Sequence, residues 1–366
     1  MTSFLVLSVH DFRSRRKASV HFIATELAKR GQVRFYSTGL SRLSEHRGDT
    51  RTDLAPRANR VEVENGVECY LQRGFWHPFR IMKPGMGPLE SAMFRFYRWR
   101  MPSILKQWIQ QADVVFIESG MAAVYIADVK RLNPKARLVY LASDDLSVVG
   151  AAQTIRKEFS RNFDKIDLVR LPSRLLLAGM PHSRNAIFAP QGVDRDLMER
   201  PRPSPFKGRL ACVSVGSMLF DASFFNLAAP EFPDLDVHII GAGRAAEALD
   251  KRPNIIVHDE MPFEETLGYI QNCAFGVAPY KDANTPRYLF DTSLKLKQFA
   301  FFGKPAVCPE FAAGGDKSRF GYVPGNRTSI LTAIRGALTC TDTITLDIPT
   351  WGEVVDRLLA PERFPE

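Results

Sequence analysis

The polar and apolar positions of this chain change period in blocks, and the blocks predict strands and helices in turn. SFLVLSV is a short apolar run that predicts a buried strand, Ser19 to Arg30 has a helical period stopped by Gly31, and VRFYST predicts the next strand. Leu43 to Asn59 is polar without a clear period. VEVENGVECYL carries Asn65-Gly66 at its centre and predicts a hairpin, because that dipeptide accepts the left-handed backbone of a tight turn. Pro88 to Trp108 reads as helix broken near Pro102. The strands DVVFIES and RLVYLAS follow, with a helix between them that ends near Asn133-Pro134. A further helix is predicted from about Ser147 to Phe163, and short strands in LVRLPS and AIFAPQ. Strands spaced by helices in this way make parallel βαβ units.

From Pro201 to Pro205 the chain reads PRPSP, a stiff polar break suited to a linker. A second series follows, with strands predicted in RLACVSVGS, LDVHIIGAG, NIIVHDE and FGVAPY. The expected fold class is therefore α/β, with two domains facing each other across a cleft: 1–200 and 201–349, with 350–366 as a closing helix that packs back toward the first domain.

Open α/β sheets bind ligands at the carboxyl ends of their strands, and each strand of the second series runs there into Gly, Ser or Asp. The segment DTSLKLKQFAFFGKPAVCP (Asp291 to Pro309) adds a helix that opens on hydroxyl residues. Thr292 or Ser293 can cap it, and its free N–H groups and dipole favour a phosphate. Lys295 supplies a cation in the first turn, and Gln298 stands one turn on. With Gly216-Ser217-Met218, Glu260-Met261 and Tyr280 these residues describe a nucleotide-diphosphate site. Glycines let the backbone approach phosphate, Glu260 can hold a ribose diol, and Tyr280 or Met261 can flank a base. Gly241 to Arg244 is too short for a dinucleotide fingerprint.

In the first half, RLVYLASDDLS ends a strand on Asp144 and Asp145. Asp144 is placed to accept a proton from a substrate hydroxyl, whereas Asp145 reads as a cap for the next helix. Glu118, in FIESG, competes as base. A third reading makes the aspartate pair metal ligands for a nucleotide carried on the first domain, although the phosphate-binding features sit in the other half. His10 and Asp11 precede a basic loop that can meet an acceptor phosphate. The histidines His77, His182, His238 and His258 have no ligand spacing, so neither a metal nor a cofactor is expected.

The chain has 366 residues, of which 45% are apolar, and this excludes disordered and fibrous classes. Its five cysteines form no paired motif and are expected to be thiols in a reducing compartment. No leader or membrane span is legible, which points to the cytoplasm. The net charge of +9 calls for an acidic partner. Between Arg73 and Trp108, seven basic residues face one acid, Glu90, so this window alone holds +6. Aromatics are interleaved with them. Trp76, Arg95, Arg98, Trp99 and Arg100 are candidates for a patch that meets an anionic membrane surface, and nucleic acid is not expected because no nucleic-acid module is present.

The blocks SVHDFRSRRKASVHF, FIESG, YLASDDLS, VSVGSMLFD, DEM, APY, DTSLKLKQFAFFGKPAVCP and KSRFGYVPGN resemble the membrane-associated β-1,2-glucuronosyltransferases of glycosyltransferase family 70, known from xanthan biosynthesis. The resemblance runs from about Phe4 to Pro365. It implies a GT-B fold with two Rossmann-like domains, an inverting and metal-independent mechanism, UDP-glucuronate as donor and a polyprenyl-diphosphate-linked oligosaccharide as acceptor. It also implies a peripheral location on the cytoplasmic face of the inner membrane. By position it makes Asp144 the general base and sets Met218, Glu260, Met261, Tyr280, Ser293, Lys295 and Gln298 around UDP. The chain departs from the family in carrying Asp144-Asp145 where the family has Asp-Gly. Two alternatives remain: a GT-B enzyme for another nucleotide sugar, and a non-catalytic membrane- or nucleic-acid-binding module.

Overall fold

The computed structural model describes residues 1–15, 17–78, 80, 86–281, 285–342, 344 and 347–364. Phe79 and Lys83 of the basic window lie outside them. The chain divides into two compact units. The N-terminal unit is Met1–Gly192 together with Trp351–Glu366, and the C-terminal unit is Val193–Thr350. The boundary thus falls at Gly192, ahead of the proline-rich stretch expected as a linker.

Among the described residues the N-terminal unit is built on eight strands: β1 (Thr2–Ser8), β2 (Gly31–Ser41), β3 (Val61–Glu64), β4 (Val67–Gly74), β5 (Val114–Glu118), β6 (Arg137–Leu141), β7 (Leu168–Leu171) and β8 (Ala186–Phe188). Their order is β3-β4-β2-β1-β5-β6-β7-β8, parallel except for the antiparallel β3–β4 pair. Asn65 and Gly66 turn that hairpin, both with positive φ. Both faces of β1, β5 and β6 are buried, which explains why their sequences are near-continuous apolar runs. The strand order reverses between β1 and β5, the point at whose carboxyl ends open α/β sheets bind their ligands.

The helix expected from Ser147 begins only at Gln153 and ends at Arg161. Residues 144–152 form turns instead, because Asp145 bonds the N–H and hydroxyl of Ser147 and Gly150 takes a positive φ. Buried Glu90 caps this helix, accepting from the Thr154 N–H at 2.8 Å and its hydroxyl at 2.9 Å. The one acid of the basic window therefore serves the fold. The final helix, Trp351–Leu359, packs within the N-terminal unit: Trp351 stacks on Phe22 at 5.3 Å and Asp356 pairs with Arg30 at 2.8 Å.

Among its described residues the C-terminal unit has six parallel strands, β9 (Leu210–Val215), β10 (Leu235–Ile240), β11 (Ile255–His258), β12 (Phe275–Val277), β13 (Ala306–Pro309) and β14 (Arg319–Tyr322). Their order, β11-β10-β9-β12-β13-β14, is that of a doubly wound nucleotide-binding sheet whose switch point lies between β9 and β12. Apolar clusters cover both of its faces.

Candidate functional site

At the switch point of the C-terminal unit, backbone bonds draw several strand ends together. Gly216 N–H donates to Ile240 at 2.8 Å, and Gly241 N–H to His258 at 3.1 Å. Asp221 N–H donates to Pro279 and Lys281 N–H to Leu219, each at 2.9 Å, which ties the loop after β9 to the segment holding Tyr280. Gly216 takes a φ of +85°, a turn that suits glycine and leaves Ser217 and Met218 beyond it. Met218 and Glu260 are exposed, Ser217 and Met261 partly so.

The helix Leu294–Phe301 carries the remaining candidates. Ser293 is its cap, accepting from the Leu296 N–H. Thr292 turns its hydroxyl back toward Leu289 O at 3.5 Å and does not cap. The Ser293 hydroxyl also meets the Tyr280 hydroxyl at 3.0 Å, and Lys295 Nζ lies 5.4 Å from the centre of the Tyr280 ring. Gln298 is half-buried on the same helix. Leu296 and Phe299 face the core. Phe299 lies so close over Gly276 of β12 that a Cβ there would come within 2.3 Å of its ring, so a glycine sets the distance between the helix and the sheet.

In the N-terminal unit the switch point collects carboxylates. Glu118 ends β5, Ser143 and Asp144 follow β6, and Asp144 is half-buried. Glu118 accepts hydrogen bonds from the Ser8 hydroxyl and from Ser143 Oγ at 3.2 Å, and Asp144 N–H donates to Ser119 Oγ at 3.1 Å. Burial first, then the charges of Glu118 and Asp145, push the Asp144 carboxyl up to about 7. A carboxyl in that range accepts a proton well at neutral pH. Asp145 is occupied with Ser147, at 2.7 Å to its N–H. Among the described residues, no group of three or more His, Cys, Asp or Glu side chains is placed to share a metal ion.

The acceptor-side candidates separate. His10 is exposed past the end of β1. Asp11 is fully buried and bonds the Arg13 guanidinium at 2.8 and 2.9 Å and the Ser37 hydroxyl at 3.0 Å. Burial pushes its carboxyl up, but Arg13 outweighs burial and holds it below the ordinary range. Asp11 is thus a buried structural anion paired with Arg13, and as an acceptor-side candidate it is corrected to that role. Sequence reasoning also passed over a cavity of about 270 Å³ in this unit, lined by Arg51, His77, Arg80, Phe94, Met121 and Gly150 among others. No local motif marks it, because its walls come from segments far apart in sequence.

Residues 6–172 match the family model described as the N-terminal domain of the glucuronosyltransferase GumK. Over 99% of its length, and 90% of the relative's, the chain is 43% identical to the UDP-glucuronate:glycolipid 2-beta-glucuronosyltransferase of Xanthomonas campestris pv. campestris. The chain belongs to the GumK glucuronosyltransferase family. It is therefore a glycosyltransferase.

Solved structures agree on the fold of this GumK-family chain. It is similar to Anabaena Alr3699/HepE in complex with UDP and glucose, with a TM-score of 0.66 at 13% identity over 100% of both chains. It is also similar to an α,α-trehalose-phosphate synthase (UDP-forming) from Burkholderia xenovorans in complex with glucose-6-phosphate, with a TM-score of 0.66 at 11% identity over 98% of this chain and 99% of that one. The fold is GT-B.

The basic, aromatic window of the GumK-family chain divides into two sets. Phe94, Tyr97 and Trp108 are core residues. Phe75 and Trp99 are each 76% exposed, and Phe96 bridges Trp76 at 6.1 Å and Trp99 at 5.8 Å to form an open aromatic platform. Arg95 and Arg100 are exposed beside it, with Arg100 over the Phe96 ring at 5.7 Å. Arg98 is not part of this surface charge. It pairs with Asp128 at 2.8 Å and Glu158 at 3.1 Å, so its place among the membrane candidates is corrected to a structural one.

Proposed function

We propose that this chain moves glucuronate from UDP-glucuronate to a polyprenyl-diphosphate-linked oligosaccharide, by an inverting and metal-independent mechanism. The observation that carries the reading is the 43% identity, along nearly the whole chain, to a relative whose name states this donor and a glycolipid acceptor. That name also specifies a β linkage. UDP-glucuronate carries its nucleotide in the α configuration, so a β product requires inversion and one displacement. A single displacement needs one base, and Asp144 has the basicity for it.

The C-terminal unit holds the donor. Gly216, Ser217 and Met218 pass close to the nucleotide, Glu260 holds the ribose, and Tyr280 with Met261 borders the base. Lys295, Gln298 and the N–H groups of the helix capped by Ser293 meet the diphosphate, with Thr292 just outside the first turn. As the bond to UDP breaks, charge grows on the leaving diphosphate, and Lys295 with the helix N-terminus stabilises it in place of a metal ion.

The aromatic platform with Arg95 and Arg100 docks the enzyme peripherally on the anionic cytoplasmic face of the inner membrane, where a lipid-linked acceptor resides. A platform of this exposure calls for a partner, and rings beside cations suit the headgroup level. Among the described residues no helix is long and apolar enough to cross a membrane.

The test is transfer of label from UDP-glucuronate to a membrane glycolipid extract in EDTA, with UDP-glucose as the competing donor. Transfer of glucuronate alone is the expected result. Transfer only from UDP-glucose would reassign the donor, and activity that needs added Mg²⁺ or Mn²⁺ would overturn metal independence.

A further inference from the structure

The carboxyl ends of β1, β5 and β6 carry more polar structure than one base requires. Glu118 is 3% exposed, yet both of its oxygens accept from hydroxyls, one from Ser8 and the other from Ser143. Ser143 immediately precedes Asp144, and Ser119, immediately after Glu118, accepts the Asp144 N–H. Two bonds therefore lace the end of β5 to the turn that holds Asp144. Ser8 in turn accepts the His10 N–H at 2.8 Å, which closes the network on β1.

Two strands over from Glu118, in register with it through Leu141 of β6, stands Arg170 of β7, fully buried. Its bonds go to the carbonyls of Ala189 and Pro190 at 2.9 Å and to Gln191 Oε1 at 3.1 Å, and its Nη1 has no hydrogen-bond partner among the described residues. Glu118 is the carboxylate whose charge acts on it. A buried guanidinium without a contact ion pair is costly unless a nearby anion offsets it, so the sheet keeps Arg170 and Glu118 as a separated pair. The charges that act on Asp144 are Glu118 on β5 and Asp145 on its own turn; these carboxylates and Asp144 act in turn on the Tyr140 phenol of β6, and Glu118 also acts on Arg170 of β7.

We propose that Glu118 is a positioning residue for the transfer: through Ser143 it fixes the turn that presents Asp144, and its charge acts on Asp144 from the neighbouring strand end. This rests on Asp144 being the base. In the step, the acceptor hydroxyl proton passes to an Asp144 carboxylate oxygen, and the freed oxygen electron pair forms the bond to the anomeric carbon. The bond from that carbon to UDP breaks, and its pair leaves on the diphosphate. Glu118 takes no part in these bond changes. Its charge disfavours a second charge nearby, so it makes Asp144 take the proton more readily. The deletion of that charge should weaken the base while leaving the hydroxyl contacts available to an amide.

The test is the pH dependence of kcat/KM in Glu118→Gln. In the wild type the acid limb should fall near the Asp144 value of about 7. In Glu118→Gln it should move down by roughly 1 pH unit, with the plateau rate lowered about 3- to 30-fold and KM for UDP-glucuronate unchanged. Glu118→Asp, which keeps the charge, should return the limb toward its wild-type position. An unmoved limb in a folded Glu118→Gln protein overturns the proposal. If Glu118→Gln abolishes turnover while Asp144→Asn keeps it, the base assignment itself fails and Glu118 takes that role. Should Glu118→Gln not fold, carbon NMR of the wild-type carboxyls decides: titration of Asp144 in the ordinary carboxylate range overturns the proposal.

Discussion

Replacing Asp144 by Asn should stabilise the protein in a pH-dependent way while disabling it. The carboxyl has an ordinary value of 3.8 and is pushed to about 7 in the fold. The folded chain therefore holds this proton more tightly than the unfolded chain does. As pH rises between those two values the unfolded chain has already released the proton and the folded one has not, so stability falls by about 1.4 kcal/mol per pH unit. Above about 7 the penalty is constant at ~4 kcal/mol by that reckoning, and partial solvation of the half-buried group reduces it to roughly 2–4 kcal/mol. Asn has the same shape without the charge. Asp144→Asn should thus be about as stable as the wild type near pH 4 and gain steadily to roughly 2–4 kcal/mol at pH 8. Urea unfolding followed by tryptophan fluorescence measures this cleanly, since all four tryptophans, Trp76, Trp99, Trp108 and Trp351, lie in the N-terminal unit. A gain that is absent at pH 8, or the same at pH 5 and pH 8, would refute the placement of a strained carboxyl there.

Lys295→Ala should weaken UDP binding by about 1.5–3 kcal/mol, roughly 10- to 160-fold in Kd by calorimetry, because a charge-assisted bond to the diphosphate is lost. Lys297→Ala should leave UDP binding unchanged, as Lys297 sits half-buried beside Arg319; equal losses at both positions would mean that the other face of the helix meets the phosphates. Exchange of Arg95 and Arg100 for Glu should release the protein from anionic vesicles in a sedimentation assay without changing its unfolding midpoint. Arg98→Glu, by contrast, should destabilise the fold by roughly 1–3 kcal/mol through its lost pairs with Asp128 and Glu158, and vesicle binding that survives the Arg95 and Arg100 exchange would remove the platform from the membrane reading.

Much of the fold is legible in the chain because its strands are buried on both faces and therefore read as unbroken apolar runs, as in β1, β5 and β10. The Asn65-Gly66 hairpin is legible for a local reason, since two positive φ angles in succession demand those residues. The start of the helix at Thr292 or Ser293, with Lys295 in its first turn, could be placed because a helix start has a chemical signature, and the structure selects Ser293 as the cap. The misplacements share one cause, which is long-range pairing. Asp11 and Arg98 look like free charges in sequence, but Arg13 and Ser37 claim the first and Asp128 and Glu158 the second. Periodicity likewise extended the helix back to Ser147, where the Asp145 turn prevents it. The Glu118 network was invisible for the same reason: Ser8, Glu118 and Ser143 are brought together only by the parallel order of β1, β5 and β6.

The measurement closest to the proposed chemistry is the initial rate of UDP release from UDP-glucuronate and glycolipid acceptor, at pH 8 in EDTA, for the wild type, Asp144→Asn and Asp145→Asn. We expect Asp144→Asn to lose about 10²- to 10⁴-fold in turnover with UDP binding intact, and Asp145→Asn to stay near the wild-type rate. Near-normal turnover by Asp144→Asn, with activity abolished in Asp145→Asn, would contradict the assignment of the base.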